Sequence, residues 1–378
     1  MKTIILITIF SITLSNLVYS QKFTPQYTSL GSNGSTSPFH MITVNRNTVW
    51  ASCSNPNVTV KEHTPNIITH TKDGGITWKN DILPAETPSK FYIACISAVS
   101  KDSAWVSSVD RMDFFNRTDW KSKIYATFDG GDNWIVQNVP FSDGYGGQIH
   151  FFDHLEGIVF ASNADGYFQV FKTYNAGNDW KRLPESNFPK IESSREIESD
   201  DSYYAIKDTI WVGTMGRILK SIDRGTTWTA YNTPLTDKDL IFEVTFSDSL
   251  NGIARYHDRG DYFSKNMIVT SDGGENWSIV TPQGLADKIF DLNSIPNKPG
   301  EFLCTSYSNN AITSNKLYYS NNNGTTWTEF GQIHLPGRIS LFNSEIGWVS
   351  EIDPNTSEID VYKISKLIQS STNTDSKN

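Results

Sequence analysis

The chain has 378 residues, a formal net charge of −9 and 13% aromatic residues. A net-acidic surface argues against nucleic acid and anionic membranes as partners. Helix-type periodicity is hard to find, so the composition fits one all-β domain of many short strands.

Residues 1–20 carry the pattern of a secretory signal peptide. Lys2 gives the positive start, Ile4 to Leu14 the apolar core, and Val18-Tyr19-Ser20 a small-residue cleavage site before Gln21. The apolar run is too short for a membrane anchor, and no other run approaches spanning length, so no membrane insertion is expected. The expected location is secreted or periplasmic, with cleavage after Ser20, which removes Lys2 and takes the charge from −9 to −10. Cys53, Cys95 and Cys304 lack metal-ligand spacing and read as buried thiols. A Cys53–Cys95 bridge is the alternative in an oxidising compartment.

Phe23 to Leu30 forms a β-like run, and Gly31 to Pro38 a Gly/Ser loop. A four-part unit then recurs. First apolar runs are Phe39–Val44, Ile93–Val99, Ile149–Phe152, Val244–Phe246 and Ile339–Phe342. Second runs are Val49–Cys53, Ala104–Val109, Gly157–Ala161, Thr209–Gly213, Gly252–Arg255, Phe302–Thr305 and Gly347–Ser350. A third run leads into an octapeptide, Ser/Thr-x-Asp/Asn-x-Gly-x-Thr/Asn/Asp-Trp, whose Trp opens a fourth.

The octapeptide occurs six times. Its third, fifth and eighth positions are Asp73, Gly75 and Trp78; Asp129, Gly131 and Trp134; Asn175, Gly177 and Trp180. They continue as Asp223, Gly225 and Trp228; Asp272, Gly274 and Trp277; Asn322, Gly324 and Trp327. Successive third positions lie 56, 46, 48, 49 and 50 residues apart. A period near fifty with four strands predicts propeller blades. Residues 339–364 supply three more strands without an octapeptide, and Tyr27–Leu30 can add the outer one. The expected architecture is therefore a single all-β propeller of seven four-stranded blades over 21–366, closed by the N-terminal strand, with a disordered tail over 367–378.

Each octapeptide position has a folding task. The Asp or Asn accepts amide hydrogen bonds from two or three residues on, and the Gly suits positive φ. The Ser/Thr at position one and the Thr/Asn at position seven satisfy further backbone groups, and the Trp buries its ring between sheets. Asn175, Asn322 and Asp179 depart from the pattern, and those turns are expected to be slightly weaker but folded.

The motif resembles the Asp-box, or BNR repeat. The mature chain is similar to the secreted Asp-box β-propellers of the sialidase-like, sortilin-like and photosystem II assembly factor-like group. Thr48-Val49-Trp50-Ala51 and Asn343-Ser344-Glu345-Ile346-Gly347-Trp348-Val349 look like inner strands of the last of these. The resemblance implies that the ligand site lies on the face opposite the Asp-boxes. That face is built from the second-to-third-strand loops 54–66, 110–122, 162–168, 214–216, 256–266, 306–315 and 351–360, and from the blade connections, among them 184–202 and 233–241.

Two of these loops mix carboxylates, arginines and aromatics, the ingredients of a carbohydrate- or peptide-binding rim. Asp110–Trp120 brings Asp110, Arg111, Asp113 and Trp120; Tyr256–Phe263 brings His257, Asp258, Arg259, Asp261 and Tyr262. Tyr145 and Trp120 can stack on sugars, although packing accounts for them equally well. A glycosidase needs two carboxylates about 5–10 Å apart, which Asp110, Asp113, Asp258 and Asp261 are the candidates to supply. The sialidase resemblance implies an arginine triad whose first member sits in Arg-Ile-Pro. Here Arg46 is followed by Asn47, and Arg217-Ile218 and Arg338-Ile339 are followed by Leu219 and Ser340. No metal-site spacing or phosphate loop is present, so neither metal nor cofactor is expected. The preferred expectation is a monomeric, secreted, non-enzymatic scaffold that binds a protein or glycan. A glycoside hydrolase of sialidase-like architecture is the alternative.

Overall fold

The computed structural model describes residues 23–28, 37–54, 67–84, 91–110, 121–138, 146–164, 166–192, 196, 202–258, 264–285, 288–307, 315–333, 337–352 and 359–365. They form seven four-stranded antiparallel sheets, the blades of one β-propeller. Blades 1 to 6 take consecutive strands over 37–82, 91–137, 146–182, 203–232, 239–280 and 288–333. Blade 7 takes its first three strands from 339–365 and its outer strand from Phe23–Thr28. That strand pairs antiparallel with Ile359–Ser365, from Phe23 opposite Ile364 to Thr28 opposite Asp360. The ring thus closes between the two ends of the described chain. The signal-peptide and tail segments lie outside the described residues.

The core sits between blades. Cys95, Trp105 and Ile124 of blade 2 pack with Ile149, Phe151, Phe171 and Trp180 of blade 3. At two seams the second-strand Trp of one blade stacks on the Phe that ends the next blade's first strand. Trp105 and Phe151 lie 3.6 Å apart, and Trp211 and Phe246 3.8 Å. Burying such rings is worth about 1.5–3 kcal/mol each, which makes the seams between blades the stabilising contacts. Cys95 and Cys304 are buried thiols outside any disulfide, so the Cys53–Cys95 alternative is not adopted. Burial pushes the Cys304 thiol well above its usual range.

The octapeptides all turn the chain from third to fourth strand on one face. In blade 1, Thr71 Oγ1 donates to Asp73 Oδ1 (2.9 Å) and accepts from the Gly75 amide (2.9 Å). Asp73 also accepts from the Thr77 amide (2.9 Å) and hydroxyl (2.6 Å). The amide reached is thus four residues on; an amide three on joins it at Asp223 and Asp272. Position four is left-handed as well as position five. Glycine supplies it in three copies, while Ala176 (φ 60°), Arg224 (56°) and Asn323 (56°) take it in the others. Trp180, Trp228, Trp277 and Trp327 are buried; Trp78 and Trp134 are half-buried.

The expected weakness of the blade 3 turn has a compensation. Asn175 accepts the Asp179 amide (2.9 Å) and donates from Nδ2 to Asp179 Oδ2 (2.9 Å), so donor and acceptor have exchanged places. Asn322 likewise accepts the Thr326 amide and donates to its hydroxyl (2.8 Å). The turns also tie blades together. Gln137 Nε2 of blade 2 donates to Ala176 O (2.6 Å), and Lys172 Nζ of blade 3 donates to Arg224 O (2.9 Å). Lys363 Nζ of blade 7 reaches Gly74 O (3.2 Å) across the closure.

Candidate functional site

Every first strand begins on the face away from the octapeptides and runs beside the axis. Five of them carry a register shift near that start, between Pro38 and His40, Ile93 and Cys95, Gly146 and Gln148, Ile241 and Glu243, and Ile289 and Asp291. A bulge re-aims the side chain that follows it. Here it brings His40, Cys95, Glu243 and Asp291 to the wall of an axial cavity of about 370 Å³. Arg338 joins them from blade 7, and Thr43, His150, Tyr203, Tyr204, Thr245, Asn293 and Ser340 add further polar lining.

Neighbouring first strands do not pair with each other, so amides facing the next blade need side-chain acceptors. Glu243 Oε1 accepts from Leu292 N (3.0 Å), and Asp291 Oδ2 from Ile339 N (2.8 Å). Ser97 does the same for Phe151 N (2.9 Å), Thr245 for Ser294 N (3.1 Å) and Ser340 for Thr43 N (3.0 Å). Each acid also holds an arginine. Arg255 stands opposite Glu243 on the second strand of blade 5 and donates to Oε2 at 2.5 Å. Arg338 donates to Asp291 Oδ1 at 2.8 Å. Burial pushes Glu243 up to about 7 against the pull of Arg255, with Asp291 adding to the rise. His150 is pushed down to about 4 by burial, so it is neutral at pH 7.

These two acids are therefore fastenings between blades 5, 6 and 7. Each carboxylate is engaged by a neighbouring backbone amide and by an arginine. The arginines tell the same story. Arg46 lies in the turn between the first two strands of blade 1, on the octapeptide face. Arg217 is buried on Glu196, with Nη2 at 2.7 Å from both carboxylate oxygens and Nε at 2.9 Å from Oε1. Among the described residues no group of three His, Cys, Asp or Glu is placed to hold a metal ion.

Of the loop candidates, Arg111, Asp113, Trp120, Tyr145, Arg259, Asp261 and Tyr262 lie outside the described residues. Asp110 and Asp258 close the second strands of blades 2 and 5, so their loops leave the ring three blades apart. His257 is buried, with its ring 5.1 Å from that of Phe242. Sequence reasoning missed Glu243, Asp291 and Glu196 altogether. Their partners stand far off in sequence: Arg338 follows Asp291 by 47 residues, and Arg217 follows Glu196 by 21.

No protein-family model matches this sequence, and no curated protein matches it. Solved structures do share the fold. YCF48 bound to D1 peptide is 15% identical over 88% of this chain and 95% of its own, with a TM-score of 0.57. The GH74 xyloglucanase from Xanthomonas campestris is 12% identical over 89% of this chain, with a TM-score of 0.58. The present chain spans 55% of that enzyme's length. A protein of unknown function from Dyadobacter fermentans is 13% identical over 92% of this chain and 98% of its own, with a TM-score of 0.54. At these identities the likeness is one of fold.

Proposed function

We propose that this propeller is a secreted, non-enzymatic binding protein that engages a protein or glycan partner through the face opposite the octapeptides. In this reading the octapeptides are Asp-boxes, residues 1–20 are a signal peptide cleaved after Ser20, and the mature chain is a monomer. The observation that carries it is the fate of the acids and arginines around the axis. Glu243 and Asp291 are spent on neighbouring amides and on Arg255 and Arg338, Arg217 is spent on Glu196, and Arg46 faces the other way. Among the described residues the face offers neither a free carboxylate pair nor an open arginine clamp, which suits recognition better than hydrolysis. A neighbour of nearly the same length binds a peptide, which favours a polypeptide partner.

The glycoside hydrolase reading has a fold likeness in its favour, but the described carboxylates of the cavity, Glu243 and Asp291, are each engaged by an arginine. A panel of glycan substrates and a pull-down from extracellular and envelope fractions separate the two. The proposal expects no turnover and a saturable partner. Hydrolysis that is lost on changing Asp110, Asp113, Asp258 or Asp261 to Asn refutes it.

A further inference from the structure

The same face carries a second, smaller pocket at blade 4. Its floor is Met215 and Gly216, in the loop between the second and third strands of that blade, and Arg217, which opens the third strand. One wall is the connection to blade 5, including Thr233, Thr236 and Asp237; the other is Glu192 and Glu196, from the long connection out of blade 3. The volume is about 290 Å³.

The connection from blade 3 is strapped down here by one buried ion pair. Arg217 and Glu196 side chains are 7% and 2% exposed, and Thr214 Oγ1 and the Glu192 amide add bonds to Glu196 at 3.0 and 2.7 Å. Arg217 further donates to Lys190 O (3.0 Å) and to Glu192 Oε1 (3.1 Å). Four of the five guanidinium hydrogens are thereby committed to the chain itself. Arg217 is therefore poorly placed to recruit an anion.

What remains is negative. Among the described lining residues Glu192, Glu196 and Asp237 stand against Arg217, a net charge of −2. Glu192 has its side chain 65% exposed and Asp237 is exposed, so both can turn onto a ligand without a large desolvation cost. Threonine hydroxyls stand beside them, and Met215 and Leu235 offer apolar surface for an aliphatic stem.

We propose that this pocket receives the ammonium or guanidinium group of a lysine or arginine side chain carried by the protein partner. The carboxylates of Glu192 and Asp237 pair with the charged head, while the stem lies along Met215 and Leu235. The proposal rests on the reading above only for the partner being a polypeptide, and it is tested without that partner.

The probes are acetyl-Ala-Lys-Ala-amide, acetyl-Ala-Glu-Ala-amide and spermidine, titrated against the mature chain by saturation-transfer NMR. The lysine peptide should bind saturably and the glutamate peptide should not. Glu192→Gln/Asp237→Asn should weaken the lysine peptide at least tenfold with the thermal midpoint unchanged, since both side chains are exposed. Equal binding of the two peptides, or full binding to the double variant, overturns the proposal. So does binding of spermidine without the lysine peptide, which would make this a polyamine site. None of these outcomes touches the question of turnover that decides the broader reading.

Discussion

Gly274→Ala separates two reasons for glycine at the fifth octapeptide position. The residue sits at φ +88°, and a β-carbon there would lie 3.0 Å from Nε1 and 3.1 Å from Cδ1 of Trp211 in the preceding blade. Trp211 is fully buried and donates from Nε1 to Gly273 O at 2.8 Å. The left-handed backbone costs alanine roughly 1–2 kcal/mol, partly offset by about 0.4–1 kcal/mol from a less flexible unfolded chain. Displacing Trp211 adds roughly 1–3 kcal/mol of overpacking and about 1 kcal/mol for its hydrogen bond. The net expectation is a loss of about 2–5.5 kcal/mol. Gly166→Ala is the control: its φ is +84°, with nothing within 4 Å of the new β-carbon, so it bears the backbone cost alone. Urea unfolding followed by tryptophan fluorescence gives both values. If Gly274→Ala costs no more than Gly166→Ala, the octapeptide glycine is a turn residue only and the seam argument fails.

Asp73→Ala should cost about 1–2 kcal/mol through its lost turn bonds, and an unchanged thermal midpoint would count against that role. Asn175→Asp should destabilise by about 1–2 kcal/mol, because it sets a second carboxylate against Asp179 in place of a hydrogen bond; adding Asp179→Thr should recover most of the loss in a double-mutant cycle. The pH dependence has two branches of opposite sign. Asn133 holds Asp129 near 2, and the Asn276 bonds outweigh burial to hold Asp272 near 2 as well. Because these folded values lie below those of unfolded Asp, stability is present above about pH 4 and lost as pH falls towards 2. Glu243 is raised when folded, so it adds stability as pH falls from about 7 towards 4.5, whereas His150, near 4 when folded, removes stability as pH falls from about 6.5 towards 4. The two largely offset each other between pH 8 and 5, so urea midpoints there should be close, with a fall at pH 3. In Glu243→Gln the midpoint should instead drop from pH 8 to 5, and a profile that matches the parent's would contradict the Glu243 assignment. Removing residues 21–30 takes the outer strand from blade 7 and should lower the melting temperature and promote association through the bared edge; a monomer of unchanged melting temperature would speak against closure by this strand.

The ring was legible because the octapeptide repeats a turn with fixed stereochemical needs, and the spacing of its copies matches one blade. The need for a closing strand was legible too, since residues 339–364 hold three strands and the four-strand pattern demands another; it was expected at Tyr27–Leu30, and Phe23–Thr28 supplies it. The first strands of blades 4 and 6 escaped notice. Tyr203–Ile206 and Lys288–Ser294 alternate polar and apolar residues weakly, because one side of each faces the wet axial cavity. The fastenings around the axis escaped for a related reason. Glu243 meets Leu292 and Asp291 meets Ile339 at separations of 49 and 48 residues, one blade period, where local pattern carries no signal. Complementary polar residues one period apart are the trace that would have found them. Arg217 and Arg338 stood out in sequence as arginines out of place for a sialidase, and their buried carboxylate partners are the physical reason.

The central claim is that the partner meets the face away from the octapeptides. A photo-crosslinking residue placed at Thr236 reports on that face, and one at the exposed Ile222 reports on the octapeptide face. With both variants incubated in the same extracellular and envelope fractions, the account predicts a discrete crosslinked partner from position 236 and none from 222. A partner captured from 222 alone would contradict it.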